Sequence, residues 1–404
     1  MQPELLIKIT IVIGGLMTAA AYFVLLERRI AAWVQDRVGP NRVGIPLTKI
    51  RLFGLGQPLA DGLKMIFKEE YTPRQVDRQL YVLAPLLILT AALSVFAVIP
   101  FGSAVNAGGY SIELAIIPGL NVGLIYIFAL SSIAVYGVIL GGWASNSKYS
   151  FLGGLRSSAQ LIAYELPLGL GILGIILASS SLDLATIMNQ QAESGWWYGF
   201  TQPLGFLVFV IAAFAEAARL PFDLPECEQE LIGGYHTEYA GIKLLLFLVA
   251  EFIHMITASF LIVILFLGGW HFWGITGTDP VATSWGMALL RVLVLFTKVF
   301  LVIVFFMLVR WSWPRFRFDQ LMGLAWKVML PLGLLNFVTV SILLETRLLL
   351  YEHGQSSTGF DIASVLISWL ICVGSWIAIC QWGPRVADNS PRESLDPQLI
   401  DTQI

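Results

Sequence analysis

The stretch GIKLLLFLVAEFIHMITASFLIVILFLG, residues 241–268, decides the fold class. Apolar side chains fill most of it, and a membrane-spanning helix needs only about 20 such residues. Glu251 and His254 lie three positions apart within this stretch, so they share one face of a helix. Ionisable side chains at membrane depth usually face a wet protein interior. The stretch therefore predicts a membrane helix with one polar face.

Similar apolar segments recur along the whole chain. We predict nine spans, at residues 5–26, 80–101, 120–142, 157–180, 203–219, 241–268, 285–311, 325–350 and 362–382. Hydrophobic residues make up 57% of the 404 residues and charged residues only 13%. A soluble domain has about 25% charged residues. The sequence therefore predicts an all-α, polytopic membrane helix bundle.

The segments outside the spans also carry information. Between the first two spans, apolar residues recur at helical spacing and predict a short amphipathic helix at the membrane surface or against the bundle; these are Leu52, Leu55, Leu59, Leu63, Ile66 and Phe67. We divide the whole chain into three regions: a membrane domain at residues 1–360, an additional span at 361–384 and a polar, disordered tail at 385–404.

The distribution of basic residues predicts the orientation. If the nine spans cross the membrane in turn, 20 of the 24 lysines and arginines fall on one side, which we call the basic side. Basic loops stay in the cytoplasm of membrane proteins. We therefore expect the N-terminus outside and the C-terminal tail in the cytoplasm.

Composition argues against several other classes. The formal net charge of −3 does not favour a nucleic-acid partner. Cys227, Cys372 and Cys380 lack the spacing of a zinc or iron–sulfur site. Gly169 to Gly174 spells GxGxxG, but this motif binds a dinucleotide only after a strand, and here it lies within a predicted span. We expect no metal and no bound cofactor in this chain.

Five ionisable residues lie deep in the predicted spans: Glu165, Glu251, His254, Arg291 and Lys298. Together they would cost on the order of 10 kcal/mol if they faced lipid. Two interpretations stay open from the residues alone. They form a path for protons or ions, or they pair internally and fix the packing of helices.

An acidic loop follows the fifth predicted span. It contains five carboxylates between residues 216 and 230: Glu216, Asp223, Glu226, Glu228 and Glu230. Like charges that are partly buried raise each other's pKa and make such a group a proton store. The alternative is an acidic loop that is simply solvated.

Several long motifs in order resemble one family. They are Gln35-Asp-Arg37-Val-Gly-Pro-Asn-Arg-Val-Gly44, Gln57-Pro-Leu-Ala-Asp61-Gly-Leu-Lys64, Lys148-Tyr-Ser-Phe-Leu-Gly-Gly-Leu-Arg156, Tyr164-Glu165-Leu-Pro167, Arg219-Leu-Pro-Phe-Asp-Leu-Pro-Glu226, Glu230-Leu-Ile-Gly-Gly-Tyr-His-Thr-Glu238-Tyr239 and Pro314-Arg315-Phe-Arg317-Phe-Asp319-Gln320-Leu321. Over residues 5–350 the chain resembles the H-subunit family of proton-pumping NADH–quinone oxidoreductase, respiratory complex I, whose mitochondrial homologue is NADH dehydrogenase subunit 1. The ninth span and the tail extend beyond this resemblance, and Cys227 stands where the family usually has a smaller residue.

The resemblance implies a membrane subunit of an H⁺-translocating enzyme, with no redox centre of its own, in the bacterial inner membrane. Such a subunit forms much of the chamber in which quinone, the substrate, is reduced. It implies a quinone chamber near Glu27, Arg28, Arg37, Asp61, Arg219, Phe222, Asp223 and Arg315. It also implies that an acidic row leads protons from the chamber into the membrane: Glu165, Glu216, Glu226, Glu228, Glu230 and Glu251.

The resemblance also implies partners. NADH, FMN and iron–sulfur clusters would belong to subunits of a peripheral arm, and small membrane subunits would join this chain to antiporter-like subunits. Two alternatives remain: the equivalent subunit of a ferredoxin-linked quinone oxidoreductase or membrane-bound hydrogenase, and an autonomous ion transporter. The electron donor and the type of quinone are not encoded in these motifs.

Overall fold

The computed structural model describes residues 3–44, 53–107, 110–224, 234–279, 281, 284–352 and 358–382. The helices there are α1 (Pro3–Val34), α2 (Gln57–Phe67), α3 (Arg78–Val95), α4 (Gly123–Ala144), α5 (Lys148–Ser179), α6 (Leu184–Ser194), α7 (Tyr198–Thr201), α8 (Pro203–Glu216), α9 (Gly241–Phe266), α10 (Trp285–Ser312), α11 (Phe318–Leu324), α12 (Leu330–Glu352) and α13 (Thr358–Trp382). One π-helical turn, Ala325–Met329, joins α11 to α12.

The prediction of a polytopic helical bundle is confirmed. In the described part of the chain, eight helical segments are long and apolar enough to cross a membrane, the segment Phe318–Leu350 among them. Helix α8 is shorter but also apolar. These nine segments coincide with the nine predicted spans, and α13 lies where the additional ninth span is expected. The tail at 385–404 lies outside the described residues.

Helix α9, built from the apolar stretch at 241–268, is the centre of the bundle. In its most apolar window, 78% of the residues are buried inside the chain, against 17% in α1 and 11% in α13. Helices α1, α3, α8 and α10 pack around it. Burial of this degree explains why α9 tolerates Glu251 and His254, because their side chains do not meet lipid.

Short polar residues begin several helices. The side chain of Asp77 accepts hydrogen bonds from the backbone N–H groups of Gln79 and Leu80 at the start of α3. Asp183 accepts from the Thr186 N–H at the start of α6, and Ser284 accepts from the Met287 N–H at the start of α10. These caps satisfy backbone donors that a helix leaves without an internal partner.

Small residues allow close approach between the helices. Gly171 of the GxGxxG motif lies against α8, where an added Cβ would meet the Gly205 carbonyl oxygen at 3.1 Å. Gly174 lies close to Gln202 and Asn336 in the same way. The motif therefore serves helix packing in the middle of α5, as its place in a predicted span indicates.

Two connections between the spans contain secondary structure that the sequence analysis did not predict. The connection at 102–119 contains an antiparallel hairpin of β1 (Val105–Ala107) and β2 (Tyr110–Ile112), with Asn106 paired to Ser111. The two residues between the strands are Gly-Gly, a composition that two-residue hairpin connections favour. The connection at 181–202 contains α6 and α7.

The predicted amphipathic helix is present as α2. None of its residues is buried within the chain, and Leu59, Leu63, Ile66 and Phe67 are all exposed. Leu52 lies outside the described residues, and Leu55 precedes the helix. An apolar face that the chain itself leaves uncovered is typical of a helix that lies at the membrane interface.

Candidate functional site

A buried ion-pair cluster lies at the end of α1 on the basic side of the bundle. Glu27 Oε1 is 2.5 Å from Arg310 Nη1, and Glu27 Oε2 is 3.4 Å from Arg219 Nη1. The Arg219 guanidinium also stacks over the ring of Phe252 at 4.1 Å. Arg219 is 2% exposed and Glu27 8% exposed. One carboxylate therefore joins α1 to the end of α10 and to the loop after α8.

The loop after α8 is fixed through its backbone. The side-chain amide of Gln160 donates to the carbonyl oxygens of Ala215 and Phe222. Arg315 Nη2 donates to the Asp223 carbonyl oxygen at 2.6 Å. The Phe222 ring stacks on Phe316, with centroids 5.7 Å apart. Phe222, Asp223 and Arg315 are thus brought together, next to the cluster that contains Arg219.

The other three predicted chamber residues lie nearer the surface. Arg28 Nη1 pairs with Asp61 Oδ2 at 2.7 Å and joins α1 to α2, while the side chain of Gln57 donates to Asp61 Oδ1. Arg37 follows the end of α1, is exposed, and donates from Nε to the side chain of Gln35. The Arg28–Asp61 pair is half-exposed and Arg37 is solvated, so these residues are not part of the buried cluster.

A cavity inside the bundle collects the described acidic residues. It has a volume of about 60 Å³ and is lined by Glu165 of α5, Glu216 of α8, and Glu251 and His254 of α9. Ser131 of α4 and Tyr235 complete its polar surface. The hydroxyl of Ser132 donates to Glu165 Oε1. We call this space the carboxylate cavity.

Part of the predicted acidic row lies outside the described residues. Glu226, Glu228, Glu230 and Cys227 fall in the segment 225–233. The three described members, Glu165, Glu216 and Glu251, come from three different helices and meet at one cavity. Helix α5 runs without a break through Pro167, which has no N–H to donate to the Ala163 carbonyl.

The two basic residues of α10 do not join this cavity. Lys298 Nζ donates to the carbonyl oxygens of Leu267, Gly269 and His271, at 2.6, 3.0 and 2.7 Å. Arg291 Nε donates to the Thr276 carbonyl oxygen at 3.0 Å. Both side chains therefore hold the loop after α9, on the side opposite the basic side. The sequence analysis considered a proton path or internal ion pairs for these residues. In the structure, their side chains instead donate hydrogen bonds to backbone carbonyl groups.

His271 lies in that loop. Its Nδ1 is 3.1 Å from the Gly277 carbonyl oxygen, and its Nε2 is 3.4 Å from the side chain of Asn189. Burial lowers the pKa of the imidazole from 6.5 to about 4; the hydrogen bond to Gly277 opposes this shift, and the positive charges of Arg291 and Lys298 add to it. His271 is therefore neutral at pH 7.

A larger, apolar groove runs along α1, α9 and α10. It has a volume of about 770 Å³ and extends from Lys8 to Phe23 on α1 and from Val292 to Ile303 on α10. Ile11, Leu293 and Phe296 at its edges are exposed. Phe23 lies one helical turn before Glu27, so the groove ends close to the buried ion-pair cluster.

No metal centre is apparent in the part of the chain that the structure describes. No three His, Cys, Asp or Glu side chains there are grouped so that they could hold an ion.

Comparison with known proteins places this architecture in a family. The sequence pattern of the family described as NADH dehydrogenase matches residues 7–341, most of the 404-residue chain. The chain belongs to this family. The match ends within α12, so α13 lies beyond it.

Individual relatives support the assignment to this family. The chain is 49% identical to NADH-quinone oxidoreductase subunit 8 of Thermus thermophilus over 342 residues, which cover 85% of this chain and 87% of the relative. It is 48% identical to an H subunit of NADH-quinone oxidoreductase from Syntrophobacter fumaroxidans over 334 residues, which cover 83% and 94%. An H subunit of the same enzyme from Geobacter metallireducens is 45% identical over 342 residues, which cover 85% and 97%. The predicted membership of the H-subunit family is confirmed.

Sequence reasoning missed Arg310 and left His254 without a role at the site. Arg310 is a single basic residue in the last turn of α10, a position where many membrane helices carry a charge. Its pairing with Glu27 depends on the packing of α1 against α10. His254 carried a weak signal, because its spacing of three residues from Glu251 places both on one face of α9.

Proposed function

We propose that this chain forms much of the quinone chamber of a proton-pumping NADH–quinone oxidoreductase and links quinone reduction to proton translocation. Membership of the family makes it a subunit of that enzyme. Within the complex, NADH, FMN and iron–sulfur clusters belong to subunits of the peripheral arm. The carboxylate cavity is the observation that carries the coupling role, since it gathers Glu165, Glu216 and Glu251 inside the membrane part of the chain.

The buried ion-pair cluster supports the quinone chamber. Its members lie at the basic side of the bundle, where the peripheral arm would dock. Arg219 and Arg310 place two positive charges near one carboxylate. A guanidinium close to a quinone head group would stabilise the negative charge that forms during reduction. Phe222 and Asp223 follow Arg219 in the same loop, and Arg315 holds this loop through the Asp223 carbonyl oxygen. Arg28, Arg37 and Asp61 would line the outer part of the chamber, nearer the surface.

The apolar groove supports access from the bilayer. A quinone with a long isoprenoid tail needs an apolar passage, and this groove reaches from the lipid-facing surface to within one turn of Glu27. Among the described residues, Lys8 is the one titratable side chain in its lining, and it lies at the far end. The tail would remain in the groove while the head group reaches the ion-pair cluster.

The carboxylate cavity supports proton transfer. Three carboxylates around one small cavity cannot all ionise without repulsion, so their protonation states are coupled. A negative charge that forms in the neighbouring chamber favours proton uptake by this group. The acidic residues of the segment 225–233, Glu226, Glu228 and Glu230, would extend the row towards the chamber. Glu165 and Glu251 would continue it towards the small membrane subunits that adjoin the antiporter-like subunits.

The test replaces one carboxylate of the cavity in the complete complex. Glu216→Gln keeps the size of the side chain but removes its ionisation. We expect the assembled variant to lose at least about tenfold in coupled quinone reduction and pumping, because a positioned acid or base contributes roughly 100-fold or more to proton transfer. Glu193→Gln, an exposed glutamate of α6, is the matched control and should behave as wild type. If Glu216→Gln pumps at the wild-type rate, the acidic row does not include Glu216.

A second variant distinguishes a role in the quinone chamber from a role in assembly of the complex. Asp223→Asn should slow the reduction of quinone by NADH while the oxidation of NADH by an artificial acceptor continues, because the latter needs only the peripheral arm. Equal loss of both activities would indicate that the complex fails to assemble and would contradict a role in the chamber.

A further inference from the structure

In the part of the chain that the structure describes, His254 is the one basic side chain that lines the carboxylate cavity. It lies one turn after Glu251 on α9, further from the basic side of the bundle. The same imidazole lines a second, smaller cavity of about 10 Å³, together with Glu216, Ser131 and Thr257. His254 and Glu216 are therefore shared by the two cavities. Glu251 lines the larger one.

The imidazole makes no hydrogen bond to any side chain or backbone group in the described part of the chain. A polar ring inside a membrane protein costs free energy if it has no partner. Water in the two cavities can supply one, because a water molecule needs roughly 10–15 Å³ of such space. The larger cavity has room for about four waters and the smaller for about one. The ring therefore lies between two small cavities that each have room for water.

We infer that His254 relays protons between Glu216 and Glu251. This inference rests on the proposed coupling role of the carboxylate cavity and adds a residue to it. A neutral imidazole has one nitrogen that accepts a hydrogen bond and one that donates, and it can exchange these roles.

In this relay, the imidazole takes up one proton and releases one, so it ends neutral. A proton from Glu216 passes through water to the unprotonated ring nitrogen, and the imidazole becomes an imidazolium. The other nitrogen then releases its proton through water to Glu251. The ring ends neutral in the other tautomer and returns when it rotates or when a proton passes the opposite way. Three carboxyl groups line the same cavity as the ring: Glu165 from α5, Glu216 from α8 and Glu251 from α9 itself. The neighbouring helix α4 contributes only the hydroxyl of Ser131, and Tyr235 contributes a phenol.

The experiment uses His254→Gln in the complete complex, reconstituted in liposomes with NADH and quinone. Glutamine keeps a donor and an acceptor, so water in the cavities stays bound, but it does not take up a proton in this pH range. We expect coupled quinone reduction to fall by about tenfold or more. We also expect the rate in D₂O to fall further than for wild type, because proton transfer becomes limiting. Oxidation of NADH by an artificial acceptor should be unchanged.

Two comparisons exclude a structural cause. Ser259→Ala removes a buried hydroxyl from the same helix that lines neither cavity, and this variant should retain wild-type rates. A packing defect in His254→Gln would lower the rate without enlarging the isotope effect, and that result would overturn the relay. Wild-type rates in His254→Gln would overturn it as well.

The outcome for Glu216→Gln separates the relay from the coupling role on which it rests. If Glu216→Gln is impaired and His254→Gln is not, the coupling role of the cavity stands and the relay fails. If Glu216→Gln itself pumps normally, the coupling role proposed for this cavity fails first, and the relay with it.

Discussion

One of the two ion-pair partners of Glu27 could be predicted from the sequence, and the other could not. The family resemblance places it in the chamber, and the structure brings it to Arg219, a residue that the resemblance also selects. The second partner, Arg310, is 283 positions further along the chain, and no spacing rule connects the two. Pairing between distant helices follows from their packing, and the sequence shows only that each residue is charged and close to the end of a span.

We predict that Glu27→Gln destabilises the assembled complex. Removing the carboxylate breaks the buried pairs that Glu27 makes with Arg219 and Arg310. Breaking a buried pair costs about 3–5 kcal/mol. The melting temperature of the purified complex should fall by several degrees, and the reduction of quinone should weaken. Glu193→Gln, which removes an exposed charge, should leave both unchanged. An unaltered melting temperature in Glu27→Gln would show that the two arginines have other partners sufficient to hold them.

At the scale of elements, long apolar segments could be predicted and short connections could not. The nine spans follow from hydropathy, because each must satisfy its backbone internally and present apolar side chains to its surroundings. The hairpin at 105–112 and helix α6 have no comparable signal. Three-residue strands are too short for a period, and α6 is polar over much of its length. In the structure, the side chain of Asp183 caps the start of α6, a position where this residue type is common.

The loop after α9 provides a prediction that depends on pH. Lys298 and Arg291 hold its carbonyl groups, and the buried, neutral His271 fills its interior. Because the pKa of His271 is about 4 in the folded loop and 6.5 when exposed, the folded loop binds fewer protons. Its stability is therefore complete above pH 6.5 and is lost as the pH falls from 6.5 towards 4. The difference corresponds to on the order of 3 kcal/mol.

Hydrogen exchange of the amides in residues 268–279 would measure this effect. In wild type, protection should decrease between pH 6.5 and 4 after correction for the intrinsic exchange rate. His271→Gln should remove that dependence, whereas His236→Gln, in a loop on the basic side, should retain it. Protection that stays constant over this range in wild type would mean that His271 is not a buried neutral group.

At the scale of the whole molecule, the sequence and the structure contribute different information. The alternation of basic and non-basic loops predicts how the bundle is oriented, and the structure places Glu27, Arg219 and Arg310 together at the basic side. Lys298, Arg291 and His271 gather at the opposite side. The carboxylate cavity lies between them, with Glu216 near the basic side and His254 deeper. This order along one axis arises from the packing of several helices, and no single motif contains it.

The orientation can be tested by labelling single cysteines in cells, after Cys227, Cys372 and Cys380 have been replaced. We predict that a cysteine at Glu193, exposed on α6, reacts with a membrane-impermeant maleimide added outside intact cells. A cysteine at Glu69, exposed after α2, should react only when the membrane has been permeabilised. A cysteine at Ser394 should behave like the one at Glu69, because nine spans put the tail on the basic side. The reverse pattern at Glu193 and Glu69 would contradict the predicted orientation, because it would put the ion-pair cluster on the side away from the cytoplasm.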